Sequence, residues 1–348
     1  MRPARPALAV LAALLALPAA AVAQTPAPST TPTTTTPTTT TPATQTPTTP
    51  SKPSKPTPAP EPEPEPAAGK LKLGAPQLVF AGDRVKVKGR LSPHIAGQRV
   101  VVRILRDGKV LKERTVKAGG DGRFSHTFGG VDAGAARIVA VHDASRAVKR
   151  TRSTPRPISI IEPSAPYGSR GPSVEWLQRK LARLHYAVPR SGVMDAGTAR
   201  AVIAFRKLTG MARTATADRA VFDALAAGKG AFKVKYPGHG RHVEGDLTHQ
   251  VLALINPGGK VYRIYHTSSG APATPTILGT YRVYRKDYGT NSLGMVHSSY
   301  FIRGYAIHGY HSVPTYNASH GCFRVPIPNA LFIYNWVRMG TIVDSYYR

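Results

Sequence analysis

A tract rich in threonine and proline sets the strongest limit on how this chain folds. Residues 24–65 are almost only Thr, Pro, Ala and Ser, and they end in alternating Glu and Pro. This composition buries too little apolar surface to offset the conformational entropy of the chain. We therefore expect residues 24–69 to be a disordered linker that tethers the folded part. A merely solubilising or glycosylated stalk is the alternative.

The residues before the linker have the pattern of a secretory signal peptide. Arg2 and Arg5 precede an apolar run of Ala and Leu, and the small residues at 21–23 match a cleavage site. We predict that residues 1–23 are removed and that the mature protein is secreted and extracytoplasmic. An uncleaved anchor is the alternative, because the apolar run is close to the minimum length that spans a bilayer. Contact with the membrane is expected only in that case.

Residues 70–162 show short runs in which apolar and polar residues alternate. Val85 and Val87 alternate with lysines, and two Asp-Gly dipeptides, which are typical of hairpin turns, separate such runs. Alternation with period two places the apolar side chains on one face of a sheet. The segment therefore predicts a small β-sandwich of immunoglobulin-like type, acting as a spacer or docking module.

Residues 168–228 change to helical periodicity. After Ser173, a good N-cap, apolar residues recur on one face at Val174, Leu177 and Leu181. Two further helices are expected. One begins near Thr198 and ends at Gly210, and the other begins near Thr216 and ends at Gly228. The segment predicts a compact three-helix unit.

The helical segment resembles the type-1 peptidoglycan-binding modules. The family pattern V-x-x-L-Q-x-x-L is matched by residues 174–181, and T-x-x-A-V-x-x-F-Q by residues 198–206, with Arg206 in the place of the final Gln. The resemblance implies that residues 168–228 bind the cell wall. A structural three-helix spacer is the alternative, since the apolar positions would form the core of any small bundle.

The chain has a single cysteine, Cys322. In an oxidising compartment it has no internal disulfide partner, so it is a candidate reactive thiol, with a buried small side chain as the alternative. A cysteine attacks as thiolate and needs a base or positive surroundings. Three histidines lie near it in the sequence, at His308, His311 and His320. Only geometry can decide which of them takes the proton.

Two neighbours of the cysteine add further chemistry. Gly321 has no Cβ, so backbone amides beside it can approach a reacting carbonyl and stabilise its oxyanion. Arg324 is a permanent cation that can hold a substrate carboxylate through two hydrogen bonds. Each residue taken alone has an ordinary structural explanation. The whole cluster at 319–324, with His308 upstream, favours catalysis.

At these residues the sequence resembles the L,D-transpeptidase catalytic domain, also called the YkuD domain. The family signature, His-Gly followed by S/T-H-G-C-x-R/N, is matched by His308-Gly309 and by residues 319–324. The resemblance implies that residues 231–348 form a mostly β L,D-transpeptidase catalytic domain. The chain as a whole is then expected to be multidomain and mainly β.

The resemblance also implies roles for the residues of the motif. The expected nucleophile is Cys322 and the expected base is His308. His320 and Gly321 belong, with Cys322, to the backbone region expected to hold the oxyanion. The expected substrate-binding residues are Arg324, Ser319 and Gly309.

The implied reaction is acyl transfer on peptidoglycan. The thiol attacks the carbonyl of the third residue of a tetrapeptide stem, D-alanine leaves, and an amine of a neighbouring stem resolves the thioester to give a 3→3 cross-link. The family is also acylated by carbapenem-type β-lactams. If water resolves the thioester, the same residues make an L,D-carboxypeptidase. A non-catalytic peptidoglycan-binding wall protein is a further alternative. A sortase is disfavoured, because the Thr-Leu-x-Thr-Cys motif is absent.

The formal net charge of +29 favours anionic partners. Nucleic acid is not expected, because the sequence has no recognition motif and the chain is predicted to be exported. Anionic wall polymers are therefore the expected partners besides the peptidoglycan stem peptides, and a merely solvated basic surface is the alternative. The histidines lack metal-ligand spacing, so no metal or other cofactor is expected.

Overall fold

The computed structural model describes residues 63–95 and 97–348. The predicted signal peptide and residues 24–62 of the predicted linker lie outside the described residues. The described part is mainly β, as predicted, with a helical unit between two β-rich segments. No helix in this part is long and apolar enough to cross a membrane.

Two sheets form the first β-rich segment. Their strands are β1 (Lys70–Gly74), β2 (Leu78–Phe80), β3 (Val85–Ser92), β4 (Arg99–Arg106), β5 (Lys109–Lys117), β6 (Arg123–Phe128), β7 (Gly134–His142), β8 (Thr151–Arg152) and β9 (Arg156–Ile161). One sheet has the order β1-β3-β6 and the other β2-β9-β7-β4-β5, with β8 beside β7. The alternating Val85 and Val87 are fully buried in the core that the two sheets share. The immunoglobulin-like type of this sandwich stays a prediction.

Three helices follow: α1 (Pro172–Arg183), α2 (Ala196–Leu208) and α3 (Arg219–Ala226). Asp195 and Asp218 are the N-caps of α2 and α3, and each side chain accepts a hydrogen bond from a backbone amide of the first turn. The prediction of Ser173 as N-cap of α1 was wrong, because Gly171 occupies that position and makes no side-chain cap. Pro172 begins the helix there, since its fixed φ and missing N–H suit the first helical position.

The helices share their core with both β-rich segments. Phe80 of β2 packs edge-on against Trp176 and Phe222, which stack on each other with ring centroids 5.1 Å apart. On the other side, the same apolar cluster includes Val251 and Ile264 of the last β-rich segment. The helical unit is therefore built into the fold rather than joined to it by a free linker.

The last segment contains two further sheets and one helix. Its elements are β10 (His242–Asp246), β11 (Val251–Asn256), β12 (Lys260–His266), β13 (Gly279–Arg282), β14 (Arg285–Thr290), β15 (Val296–Ile302), β16 (Tyr305–Tyr310), β17 (Phe323–Pro326), α4 (Ile327–Trp336) and β18 (Ile342–Tyr346). The sheet orders are β12-β11-β10-β18-β13 and β14-β15-β16-β17. Leu254 of the first sheet and Phe323 of the second lie in one shared core. Strands β16 and β17 run parallel, and this pair carries the candidate site.

Candidate active site

Cys322 lies immediately before β17 and beside β16. The backbone amide of Ala306 points at its sulfur, with N and Sγ 3.4 Å apart, and the thiol faces the carbonyl oxygen of Gly304 at 3.6 Å. The side chain is partly buried. Burial raises the pKa of the Cys322 thiol, and the Ala306 amide and the charge of Arg324 oppose this rise. The resting residue is therefore a neutral thiol near pH 7.

His308 lies on the same face of the sheet as the thiol. In the parallel register Ile307 pairs with Phe323 and His308 with Arg324. Because side chains alternate along strands, Ala306, His308 and Arg324 share one face. Cys322 packs against the cluster that contains Ala306, which puts its thiol on this face too. Nδ1 of His308 lies 2.9 Å from the carbonyl oxygen of Gly309. A carbonyl only accepts, so this contact places the proton on Nδ1 and leaves Nε2 as a hydrogen-bond acceptor.

The environment keeps the imidazole of His308 uncharged. Its side chain is 3% exposed. Burial lowers the pKa of His308 to about 4, the bond to Gly309 opposes this, and the guanidinium of Arg324 adds to the lowering. A histidine that is neutral with a free Nε2 is ready to accept a proton at neutral pH.

The other two candidate histidines are placed differently. His311 and His320 are exposed, whereas His308 is buried. The ring of His311 packs against Tyr310, with centroids 4.3 Å apart. Only His308 is thus held by strand pairing on the thiol's face.

The turn before Cys322 requires a glycine. Gly321 has φ +111°, and a Cβ there would lie 2.1 Å from the ring of Tyr305. Its amide is already used, since it donates to Oγ of Ser319. The amides of His320 and Cys322, by contrast, donate to no backbone carbonyl among the described residues. These two amides, rather than that of Gly321, are available to an oxyanion.

Ser319 and two threonines hold this turn in place. Ser319 is buried, and its Oγ donates to the carbonyl oxygen of Cys322 at 2.6 Å. Oγ1 of Thr276 donates to the carbonyl oxygen of Gly321 at 2.8 Å, and Oγ1 of Thr274 to that of Ser319 at 3.0 Å. The stretch TPTILGTYRVY at 274–284, which contains both threonines, resembles the T-P-x-G-x-[FY] segment of the L,D-transpeptidase family, but no individual role was predicted for either threonine.

Arg324 presents its charge on the same face as the thiol. Its guanidinium carbon lies 4.2 Å from the ring centroid of Tyr310, which holds the side chain by a cation–π contact. Tyr310 was missed by sequence reasoning. Gly309 is buried beneath α4, where a Cβ would lie 2.7 Å from that of Ala330. This close approach explains the glycine by packing, and its role as a substrate contact stays a prediction.

Two family models match the chain. Residues 240–344 match the L,D-transpeptidase catalytic domain, and residues 170–225 match a putative peptidoglycan binding domain. These matches confirm both predicted resemblances. No curated protein matches the chain.

Solved structures provide a second comparison. An L,D-transpeptidase from Xylanimonas cellulosilytica is 34% identical over 53% of this chain and 98% of its own, with a TM-score of 0.49. An L,D-transpeptidase from Stackebrandtia nassauensis is 20% identical over 53% of this chain and 95% of its own, with a TM-score of 0.35. A fused amidase/peptidase/peptidoglycan-binding protein from Clostridium acetobutylicum is 21% identical over 53% of this chain and 99% of its own, with a TM-score of 0.29.

Proposed function

The chain belongs to the L,D-transpeptidase family, and from that premise we propose that it cross-links peptidoglycan stems through a thioester on Cys322. One observation carries the proposal. A partly buried thiol and a neutral, buried His308 lie on one face of a parallel strand pair, with Nε2 of the histidine unprotonated. The match of residues 170–225 to a putative peptidoglycan binding domain supports peptidoglycan as the partner of the chain. Together the two matches also support an extracytoplasmic location at the cell wall.

In the first half-reaction the thiol is acylated. Sγ of Cys322 attacks the carbonyl carbon of the third stem residue while its proton passes to Nε2 of His308. The oxygen of the tetrahedral intermediate accepts hydrogen bonds from the amides of His320 and Cys322. His308 then returns the proton to the departing nitrogen of D-alanine, the C–N bond breaks, and a thioester remains.

In the second half-reaction an amine of a neighbouring stem attacks the thioester. His308 takes the amine's proton, the new C–N bond forms, and the C–S bond breaks. The proton returns to the sulfur, so the enzyme ends as it began. Arg324 holds a substrate carboxylate close to these atoms.

Analysis of treated cell wall tests the proposal. Purified wall incubated with the enzyme and then digested should yield 3→3 cross-linked dimers by mass spectrometry, and a Cys322→Ala control should yield none. Shortened tripeptides without dimers would instead identify an L,D-carboxypeptidase. Unchanged wall fragments would contradict catalysis and favour a binding protein.

A basic sheet face supports anionic wall polymers as a second partner. On the outer face of β1, β3 and β6, Lys72, Arg90 and Arg123 stand directly opposite one another in register. Like charges at paired positions destabilise a sheet. An exposed ion pair of Asp121 with Arg123 at 3.3 Å offsets part of this repulsion, and a bound polyanion would relieve the rest. A cavity of about 830 Å³ covers this face, and it has no acidic residue in its lining. We propose that the basic sheet face binds a phosphate-bearing polymer.

Neutralising this face should weaken polyanion binding about tenfold. The variant Lys72→Gln, Lys86→Gln, Lys88→Gln loses three exposed charges, each worth about 0.5 kcal/mol at a surface. A titration with labelled polyphosphate at several salt concentrations measures the change. The matched control removes three exposed charges of β5 with Lys109→Gln, Lys112→Gln and Arg114→Gln. Equal losses of polyphosphate affinity in the two triple variants would show that binding depends only on net charge and would contradict a specific site. Tighter binding of polygalacturonate than of polyphosphate would indicate a carboxylate polymer instead.

A further inference from the structure

A cavity of about 360 Å³ lies between the helical module and the catalytic domain. Arg200 and Ile203 of α2 form one wall, and the opposite wall includes Tyr310, His311 and Pro326 at the ends of β16 and β17. Pockets of this size at domain boundaries are common ligand sites. This inter-module pocket plays no part in the mechanism described above.

Arg200 is a half-buried cation, and part of its hydrogen-bonding capacity is unused within the part of the chain that the structure describes. Its Nε is buried and has no hydrogen-bond partner among the described residues. No aspartate or glutamate lines the inter-module pocket. The nearby carboxylate of Asp195 accepts hydrogen bonds from the amide and hydroxyl of Thr198 at Oδ1 and from the hydroxyl of Ser191 at Oδ2. Burial lowers the pKa of the Arg200 guanidinium, and the charge of Asp195 only partly offsets this. A guanidinium that has an unpaired N–H and a charge only partly offset favours a carboxylate ligand.

The wall that carries Arg200 is held rigidly against the catalytic domain. Lys207, seven residues further along α2, is buried and its Nζ donates to Nδ1 of His266 at 2.8 Å. The carbonyl oxygens of Gln250 and Thr267 lie 3.0 Å and 2.9 Å from the same Nζ, so three acceptors surround it. Burial lowers the pKa of Lys207 to about 6, so the structure holds this side chain by these contacts and not as a permanent cation. The inter-module pocket therefore has fixed walls, and Arg200 does not need to move to form it.

His266 cannot supply the positive charge of this pocket. Its Nδ1 accepts from Lys207, so its Nε2 is the donor to the carbonyl oxygen of Val313, 2.9 Å away. Burial lowers the pKa of His266 to about 3, with the charge of Lys207 adding to this. Both ring nitrogens are already bonded, and the half-buried Arg200 is left as the permanent cation in the lining of the pocket.

Along β16, the inter-module pocket lies beyond His308 when the strand is followed away from the thiol. Strands rise about 3.3 Å per residue, so Tyr310 is about 7 Å beyond His308 and about 13 Å beyond Ala306, next to which the sulfur lies. The acceptor amine must meet the thioester where His308 can take its proton. A stem peptide approaching from this direction brings its carboxylate to Arg200.

We propose that the inter-module pocket binds the acceptor stem peptide through a carboxylate held by Arg200. The helical module then contributes a substrate contact to the second half-reaction besides binding the wall. This inference rests on the proposed transpeptidation.

A two-step assay with the full chain tests the proposal. Acylation is followed as D-alanine release from a disaccharide tetrapeptide in a single turnover, and transfer as dimer formation with a disaccharide tripeptide acceptor. Arg200→Gln should lower transfer at limiting acceptor about ten- to hundredfold, because a charge-assisted hydrogen bond is lost. Acylation should stay within about twofold. Arg200→Lys should recover part of the loss, and Arg183→Gln, an exposed arginine on α1, should match the unchanged protein.

An amidated acceptor separates the carboxylate contact from a general effect on the fold. The unchanged protein should use an acceptor with amidated carboxylates as poorly as Arg200→Gln uses the free acid, and the variant should not distinguish the two. Equal use of both acceptors by the unchanged protein would overturn the proposal, and so would a parallel loss of acylation in Arg200→Gln. Absence of acylation in the unchanged protein would instead contradict the proposed function.

Discussion

A Cys322→Ala variant should form no covalent adduct with a carbapenem, whereas the unchanged protein should gain one adduct per molecule. The β-lactam presents a strained carbonyl to the sulfur, and its oxygen enters the region of the His320 and Cys322 amides. Because Cys322 is the only cysteine in the chain, a thioester can form at no other residue. Intact-mass spectrometry reads the result directly. The expected effect is complete loss of the adduct.

The fold of this variant needs a separate check, because the amide of Ala306 loses its contact with the sulfur. A melting temperature within a few degrees of the unchanged protein would show that the site is otherwise intact. Arg324→Ala should still form the adduct, but more slowly, since the guanidinium positions a ligand without taking part in bond formation. An adduct that persists in Cys322→Ala would place the nucleophile elsewhere. An unreactive, well-folded native protein would contradict a thioester mechanism.

The residues of the candidate site were visible in the sequence because they lie in two short motifs. His308 ends a run of apolar residues, and the cluster at 319–324 has the spacing of a known family. The structure brings Cys322, His308 and Arg324 to one face through a parallel strand register. That register depends on strand pairing, for which the sequence carries no local signal.

The protonation state of the site could not be predicted from the motif. Burial raises the pKa of Cys322 and lowers that of His308, and burial depends on residues distant in sequence. The same holds for Thr276, which bonds to Gly321 from 45 positions away. The environment of Arg206, which replaces the family's Gln, could not be predicted from the motif either. Arg206 is buried, and its Nη2 pairs with Oδ2 of Asp218 at 2.5 Å.

The close docking of the helical module also escaped sequence reasoning. Amphipathic periodicity shows which face of a helix is buried but not which partner covers it. Phe80 from the sandwich and Val251 from the catalytic domain both join the helical core. An apolar strand residue gives the same sequence signal whether it packs within its own domain or against a neighbour.

The second large effect concerns the base. With His308 replaced by alanine, carbapenem acylation near pH 7 should slow by about a hundredfold or more, which is the usual contribution of a positioned general base. His311→Ala should react at nearly the native rate, because that side chain is exposed. Acylation rates from intact-mass time courses provide the measurement. Equal rates in the two variants would remove His308 from this role.

The pH dependence identifies how His308 acts. Its pKa is lowered to about 4, so the imidazole is neutral and able to accept a proton at every pH above that value, and it loses this ability as the pH falls below about 4. The thiol's raised pKa keeps the sulfur protonated near pH 7. The native rate should therefore be level from about pH 6 to 8 and fall in acid. In His308→Ala the thiolate must form unaided, so the rate should rise about tenfold per pH unit through the same range. A native profile that rises in this way would mean that the thiolate forms without His308.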